Sequence, residues 1–218
     1  MADHARDDLE KAVSLDPRDA RSLRFQSRYY ASQGNLVTAI SIASRAIALD
    51  PFDAYARAWR AQFELADGQR DAARADLAQA LRISPSNRKG LSVLAFIDIG
   101  DGRLDEAAEL AKGLPSAAMR IPLKSAIGCA RGETRKALED LDRWKGTAQD
   151  QGLALAVAAY ASCGDAKKAL DALEADVLAP THLLGETLEI LKYHPYFAAL
   201  HAEPRFKALL RKVGLPTS

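Results

Sequence analysis

The stretch Ala20–Asp53, ARSLRFQSRYYASQGNLVTAISIASRAIALDPFD, decides the fold, because its punctuation recurs on either side of it. An interval of 34 residues separates Pro17 from Pro51 and Pro51 from Pro85. The flanks move with the prolines: Ala12, Ala46 and Ala80 stand five residues before them, and Leu15, Leu49 and Ile83 two before. Gly34, Gly68 and Gly102 keep the interval, as do Ala39, Ala73 and Ala107. Each recurrence has a steric reason. Gly enters the left-handed conformation without a Cβ penalty and closes a helix. Ala lets two helix backbones approach. Pro stops the second helix of the pair before it, lacking the N–H that would continue it, and sets the entry to the next pair. A period of this length marks a unit of two helices that buries its apolar face only against a neighbouring pair.

The quoted unit resembles a tetratricopeptide repeat, with Ser27, Tyr30, Gly34, Ala39, Ala46 and Pro51 at that family's small, Tyr-like, Gly, Ala, Ala and Pro positions. Ala61, Gly68, Ala73, Ala80 and Pro85 repeat the match. The third unit keeps Ala95, Gly102 and Ala107 but ends early at Gly113-Leu114-Pro115. Gly132 with Ala137, and Gly164 with Ala169, read as two degenerate units on a shortened spacing. The resemblance implies an all-α, right-handed superhelix, an α-solenoid of about five helix pairs plus an N-terminal half-repeat and a C-terminal capping tail. We expect one domain over residues 1–218, regular over 1–107, degenerate over 108–180 and capped by 181–218.

Both ends carry expectations. Ala5, Ala12 and Pro17 fit only the second half of a repeat, which leaves two readings open: an excised piece of a longer protein, or a half-repeat serving as its own cap. Tyr193-His194-Pro195-Tyr196-Phe197, followed by Glu203-Pro204-Arg205-Phe206, is similar to the tail that closes repeat arrays in bacterial multidomain signalling proteins. Those carry a winged-helix, nucleotidyl-cyclase or Toll/interleukin-receptor-like domain. Pro195 and Pro204 would each open a short helix, with Phe197, Leu200, Phe206, Leu209 and Leu210 sealing the last pair. Pro122 predicts a helix that starts near Ile121 or kinks there.

A net charge of +1 with interspersed signs gives no general affinity for polyanions, so nucleic acid is not an expected partner. No stretch reaches the roughly 20 apolar residues of a membrane helix, and the first eight residues are no secretion signal; a cytoplasmic chain is expected. Cys129 and Cys163 fall near the ends of the first helices of units four and five and are read as two small buried thiols rather than a redox pair. His182, His194 and His201 have no Cys or carboxylate at metal-ligand spacing, and Glu186 with Glu189 is ordinary helix surface. No phosphate loop, nucleophile elbow or dinucleotide fingerprint occurs. No catalysis, cofactor or metal is expected.

In the family the first helices line the concave face, and the matching contact positions are Arg21, Arg24 and Arg28, then Tyr55, Gln62, Leu65, Lys89, Phe96 and Ile99. Arg21, Arg24 and Arg28 share one helix face by their spacing. They would receive a carboxylate-rich or phosphorylated peptide, or else form a solvated basic face balanced by nearby acids. The family's chaperone clamp is not supported, since its asparagine positions hold Arg28 and Trp59. The expected function is a protein-interaction scaffold binding a peptide or protein, acidic by charge match, as a regulatory or sensor module. The alternatives are homodimerisation through the edge of the first helix, or an enzyme subunit built on the histidines.

Overall fold

A computed structural model describes residues 2–144, 152–178 and 198–212, and all regular structure among them is helical. The helices are α1 Ala2–Leu15, α2 Ala20–Ser32, α3 Leu36–Leu49, α4 Ala54–Ala66, α5 Arg70–Ile83, α6 Arg88–Gly100, α7 Leu104–Lys112, α8 Ala117–Ala130, α9 Thr134–Arg143, α10 Leu153–Ser162, α11 Ala166–Leu178, α12 Ala198–His201 and α13 Pro204–Lys212. The chain forms two compact units that meet within α6, between Gly90 and Leu91.

The five recurring glycines are the five hairpin turns. Gly34, Gly68, Gly102, Gly132 and Gly164 all have φ between +75° and +84°. At each, the glycine N–H bonds three residues back and the next N–H five back, as in Gly34 to Ala31 at 3.0 Å and Asn35 to Tyr30 at 3.0 Å. The same pair of bonds recurs at Glu133 to Gly128 and at Asp165 to Tyr160. This double closure satisfies the last carbonyls of the first helix and needs a left-handed residue. The two units read as degenerate are therefore built on the same hairpin as the regular ones.

The prolines belong to a second device, a box that starts the next first helix. In Asp16-Pro17-Arg18-Asp19 and Asp50-Pro51-Phe52-Asp53 the first Asp accepts from the N–H two residues on, at 3.0 Å and 3.1 Å. The last Asp is the N-cap: Asp19 accepts from Arg21 and Ser22, and Asp53 from Tyr55 and Ala56. Asn87 occupies the same place before α6, accepting from Gly90 at 2.8 Å. Such caps satisfy donors that a helix start leaves orphaned.

In the first unit α2 packs on α3, α3 on α4 and α4 on α5, with α1 against α2. Ala39, Ala73 and Ala80 are fully buried, as steric reasoning requires of close helix contacts. Leu23, Ile42 and Ala46 form a core cluster to which Val13 and Tyr30 add.

In the second unit α8 packs on α9 and α10, and α10 on α11, with α12 and α13 against α11. Leu200, Phe206, Leu209 and Leu210 are buried, and Arg205 donates to Glu174 at 2.8–2.9 Å and to Asp171 at 2.7 Å. Pro204 is the first residue of α13, where its missing N–H costs nothing. Pro195 and Phe197 lie outside the described residues.

Two expectations are corrected here. Of the two readings of Pro122, a helix start near Ile121 is wrong, since α8 begins at Ala117 with Ser116 as N-cap; Pro122 lies inside the helix, as the other reading required. Proline deprives the Ala118 carbonyl of its helical donor. The Trp144 indole Nε1–H takes that place, donating to Ala118 O at 3.0 Å. Gly152 lies against the same carbonyl, close enough that a Cβ there would stand 2.3 Å from it. Cys129 and Cys163 are not buried thiols; both are half-exposed and joined in a disulfide, Cα to Cα 5.2 Å. Their nearness follows from their places at the ends of α8 and α10, which pack together.

Candidate functional site

Three first-helix segments of the first unit, α2, α4 and the opening of α6, bring cations and aromatic rings together at equivalent positions. Arg21, Tyr55 and Lys89 are 34 residues apart, and Phe25 and Trp59 likewise. Phe25, 37% exposed, is met by Arg21, Arg24 and Arg28, whose guanidinium carbons lie 5.9, 5.5 and 5.5 Å from the ring centroid. Trp59 takes Arg28 from the preceding first helix at 4.3 Å and the Lys89 ammonium from the following one at 3.7 Å. Tyr55 takes Arg88 at 5.8 Å. Six cation–ring pairs thus fall between residues 21 and 89, the two shortest of them on Trp59.

The three predicted arginines part company in detail. Arg24 Nη1 donates to both carboxylate oxygens of Asp53, at 3.0 and 2.8 Å, so the cap of α4 is also the counter-charge of α2. Arg21 is exposed, and Arg28 bridges the two rings. Of the remaining predicted residues, Tyr55 is half-buried beside the cluster, whereas Gln62 and Leu65 are buried in α4. Phe96 and Ile99 belong to the second unit, Phe96 buried and Ile99 half-buried. Phe25, Trp59, Arg88 and Asp53 escaped the sequence reading; the 34-residue register of Phe25 with Trp59 was the available signal.

On another side of α4 runs a polar network. Arg60 donates to Asp76 at 2.6 and 2.7 Å and to Ser44 at 2.9 Å, with Arg57 3.7 Å from Asp76. Glu64 stands 3.5 Å from Arg60. Burial, then the negative charge of Asp76, pushes the Glu64 carboxyl up to about 7, against the opposing pull of Arg60.

Among the described residues no group of three or more His, Cys, Asp and Glu is placed to hold a metal. His182 and His194 lie outside them, and His201 stacks on Phe206 at 5.6 Å. No helix among them is long and apolar enough to cross a membrane.

No curated protein sequence matches the chain. Solved structures similar to it include the complex of Naa15/Naa10 bound to HypK-THB, at 17% identity and a TM-score of 0.44, covering 94% of this chain and 33% of that one. Another is the P58(IPK) TPR domain, at 17% identity and a TM-score of 0.35, covering 94% of this chain and 66% of that one. The chain therefore spans a third of the first and just under two thirds of the second. By sequence, residues 64–126, which contain the Gly68 and Gly102 hairpins, match the family model described as tetratricopeptide repeat.

Proposed function

We propose that the chain is a non-catalytic recognition scaffold over its whole length, and that the first-helix face of its first unit, the concave face in the resembled family, takes an acidic or phosphorylated segment of a protein partner. The observation that carries this reading is the concentration of six cation–ring pairs on α2, α4 and the start of α6. Rings hold the cationic side chains in few conformations, which lowers the ordering cost of meeting an anion. Arg21 and Arg28 carry the charge, Phe25 supplies an exposed apolar contact, and Arg24 with Asp53 fixes α2 against α4. The resembled tail suggests a regulatory or sensor module of a larger bacterial signalling protein.

A photo-reactive phenylalanine analogue at Phe25 should cross-link a partner from native cell extract, and the same analogue at Val37, 73% exposed on α3, should not. Arg21→Ala with Arg28→Ala should abolish the cross-link while Arg24 stays to hold Asp53; an unchanged yield rejects the basic-face reading. Self-association is the second reading. It is favoured by the exposure of Leu15 at 77% and Phe52 at 80%, and sedimentation of a concentration-independent monomer would end it. A cytoplasmic setting would keep Cys129 and Cys163 reduced. Alkylation trapping in cell extracts decides the compartment: free thiols support the cytoplasmic reading, a bonded pair an oxidising one.

A further inference from the structure

We propose that the groove between α8 and α9 in the second unit is a binding site for a small organic monocarboxylate with an apolar body, separate from the basic face of the first unit. The groove, half open to solvent, holds a volume of about 420 Å³, within the roughly 300–1,000 Å³ typical of small-ligand sites. One helix contributes Ile121, Lys124, Ser125 and Gly128, spaced to lie on a single face of α8; α9 contributes Lys136, and Trp144 closes the end.

Three features make this a built site rather than a surface dent. Trp144 cannot swing freely, because its indole N–H is spent on the Ala118 carbonyl that Pro122 leaves without a helical donor. Gly128 brings the helices together at the opposite end, where even a Cβ would stand 3.4 Å from that of Ala137. Ser125, 4% exposed, places a hydroxyl-bearing side chain in the lining although it is almost wholly buried.

The charge of the lining selects the ligand. Lys124, Lys136 and Arg143 face Glu133 and Asp140, and Arg143 donates to Asp140 at 3.3 Å. Arg143 is shared with Glu139, outside the lining, at 3.4 Å and so adds no net positive charge to the groove, where Lys124 and Lys136 stand against Glu133. Among the described residues neither Lys124 nor Lys136 is held in an ion pair, so both ammonium groups are available to a carboxylate. Ile121, 37% exposed, and the Trp144 ring offer the apolar wall beside them. A single negative charge attached to a ring or branched chain matches this combination; a cation meets two lysines.

The probe is phenylacetate, titrated into the full chain while the indole N–H signals of its two tryptophans are followed by two-dimensional NMR, the Trp59→Phe spectrum giving the assignment. For a ligand of about ten heavy atoms a Kd of the order of millimolar is expected. The Trp144 signal should shift saturably while that of Trp59 stays still, and Lys124→Ala with Lys136→Ala should weaken binding about tenfold or more. Both lysines are exposed, so folding should survive and is checked by far-UV circular dichroism and by a ligand-free Trp144 signal as dispersed as in the wild type. Phenethylamine, of the same body and opposite charge, should not bind. A Trp144 signal that does not saturate, an equal response to phenethylamine, or an unchanged Kd in the double variant would each overturn the site.

Discussion

Trp144→Phe tests whether a side chain substitutes for the backbone donor that Pro122 lacks. Phenylalanine keeps an aromatic six-membered ring but removes the five-membered ring and with it the indole N–H that reaches Ala118 O at 3.0 Å. Leaving a buried acceptor without a partner costs about 1–3 kcal/mol, and Ala118 is half-buried, so about 1–2 kcal/mol is expected. At a urea dependence of about 2 kcal/mol/M, the midpoint of the second unit's transition should fall by roughly 0.5–1 M. Small packing losses would lower it too, so the decisive comparison is made in a Pro122→Ala background. There residue 122 regains its N–H, the Ala118 carbonyl regains its helical bond, and Trp144→Phe should cost little. A coupling of at least about 1 kcal/mol between the two substitutions is the expected result. Equal costs in both backgrounds would refute the reasoning and reduce Trp144 to packing alone. The assay is urea unfolding followed by far-UV circular dichroism, with hydrogen exchange of α8 amides locating the loss.

The Cys129–Cys163 bond closes a 34-residue span, and loop-closure reasoning assigns it about 3–4 kcal/mol, so reduction should lower the urea midpoint of the second unit; an unmoved midpoint would show that the bond stabilises nothing. Glu64 sets a pH dependence in the first unit. Its carboxyl holds a proton up to about 7 when folded and only to its ordinary value of 4.5 when unfolded, so stability is greatest below 4.5 and falls between 4.5 and 7. The loss should be on the order of 2–3 kcal/mol and should vanish in Glu64→Gln, as read by chemical unfolding at pH 5 and pH 8. A wild-type profile that rises over that range would contradict the assignment.

The hairpins were legible because a left-handed turn admits few residues, and Gly34, Gly68, Gly102, Gly132 and Gly164 declare it one by one. Buried Ala39 and Ala73 were legible for the same reason, a steric demand that one small residue type meets. What was not legible depends on residues far apart in the chain. Asp53 escaped the sequence reading because its ion pair with Arg24 needs the packing of two repeats. Arg21, Arg24 and Arg28 read as three equal cations, and only the packing of α4 shows that Arg24 pairs with Asp53 while Arg28 also reaches Trp59. Pro122 read as a helix start or a kink because the local rule assumes that nothing else can satisfy the freed carbonyl; an indole 26 residues beyond Ala118 does so. The cysteines read as thiols because chemistry between two helix ends leaves no local pattern.

The two rulers separate two jobs that a repeat must do. The glycine turn joins the helices within a pair, and it persists through both units. The Asp-Pro box with its N-cap joins one pair to the next, and it lapses after Asn87, with Ser116 capping α8 from a different context. The second unit, without the box, carries several links between distant residues, Trp144 to Ala118, Lys168 to Asp142 at 2.7 Å, Cys129 to Cys163, and Arg205 to Glu174, of the kind that Arg24 and Asp53 make beside the box in the first. Such links act between particular residues and place no demand on the spacing between repeats. That freedom is why the period can shorten after Gly102 while every hairpin keeps its geometry, and why the second unit depends on single bonds that one substitution or a reductant can remove.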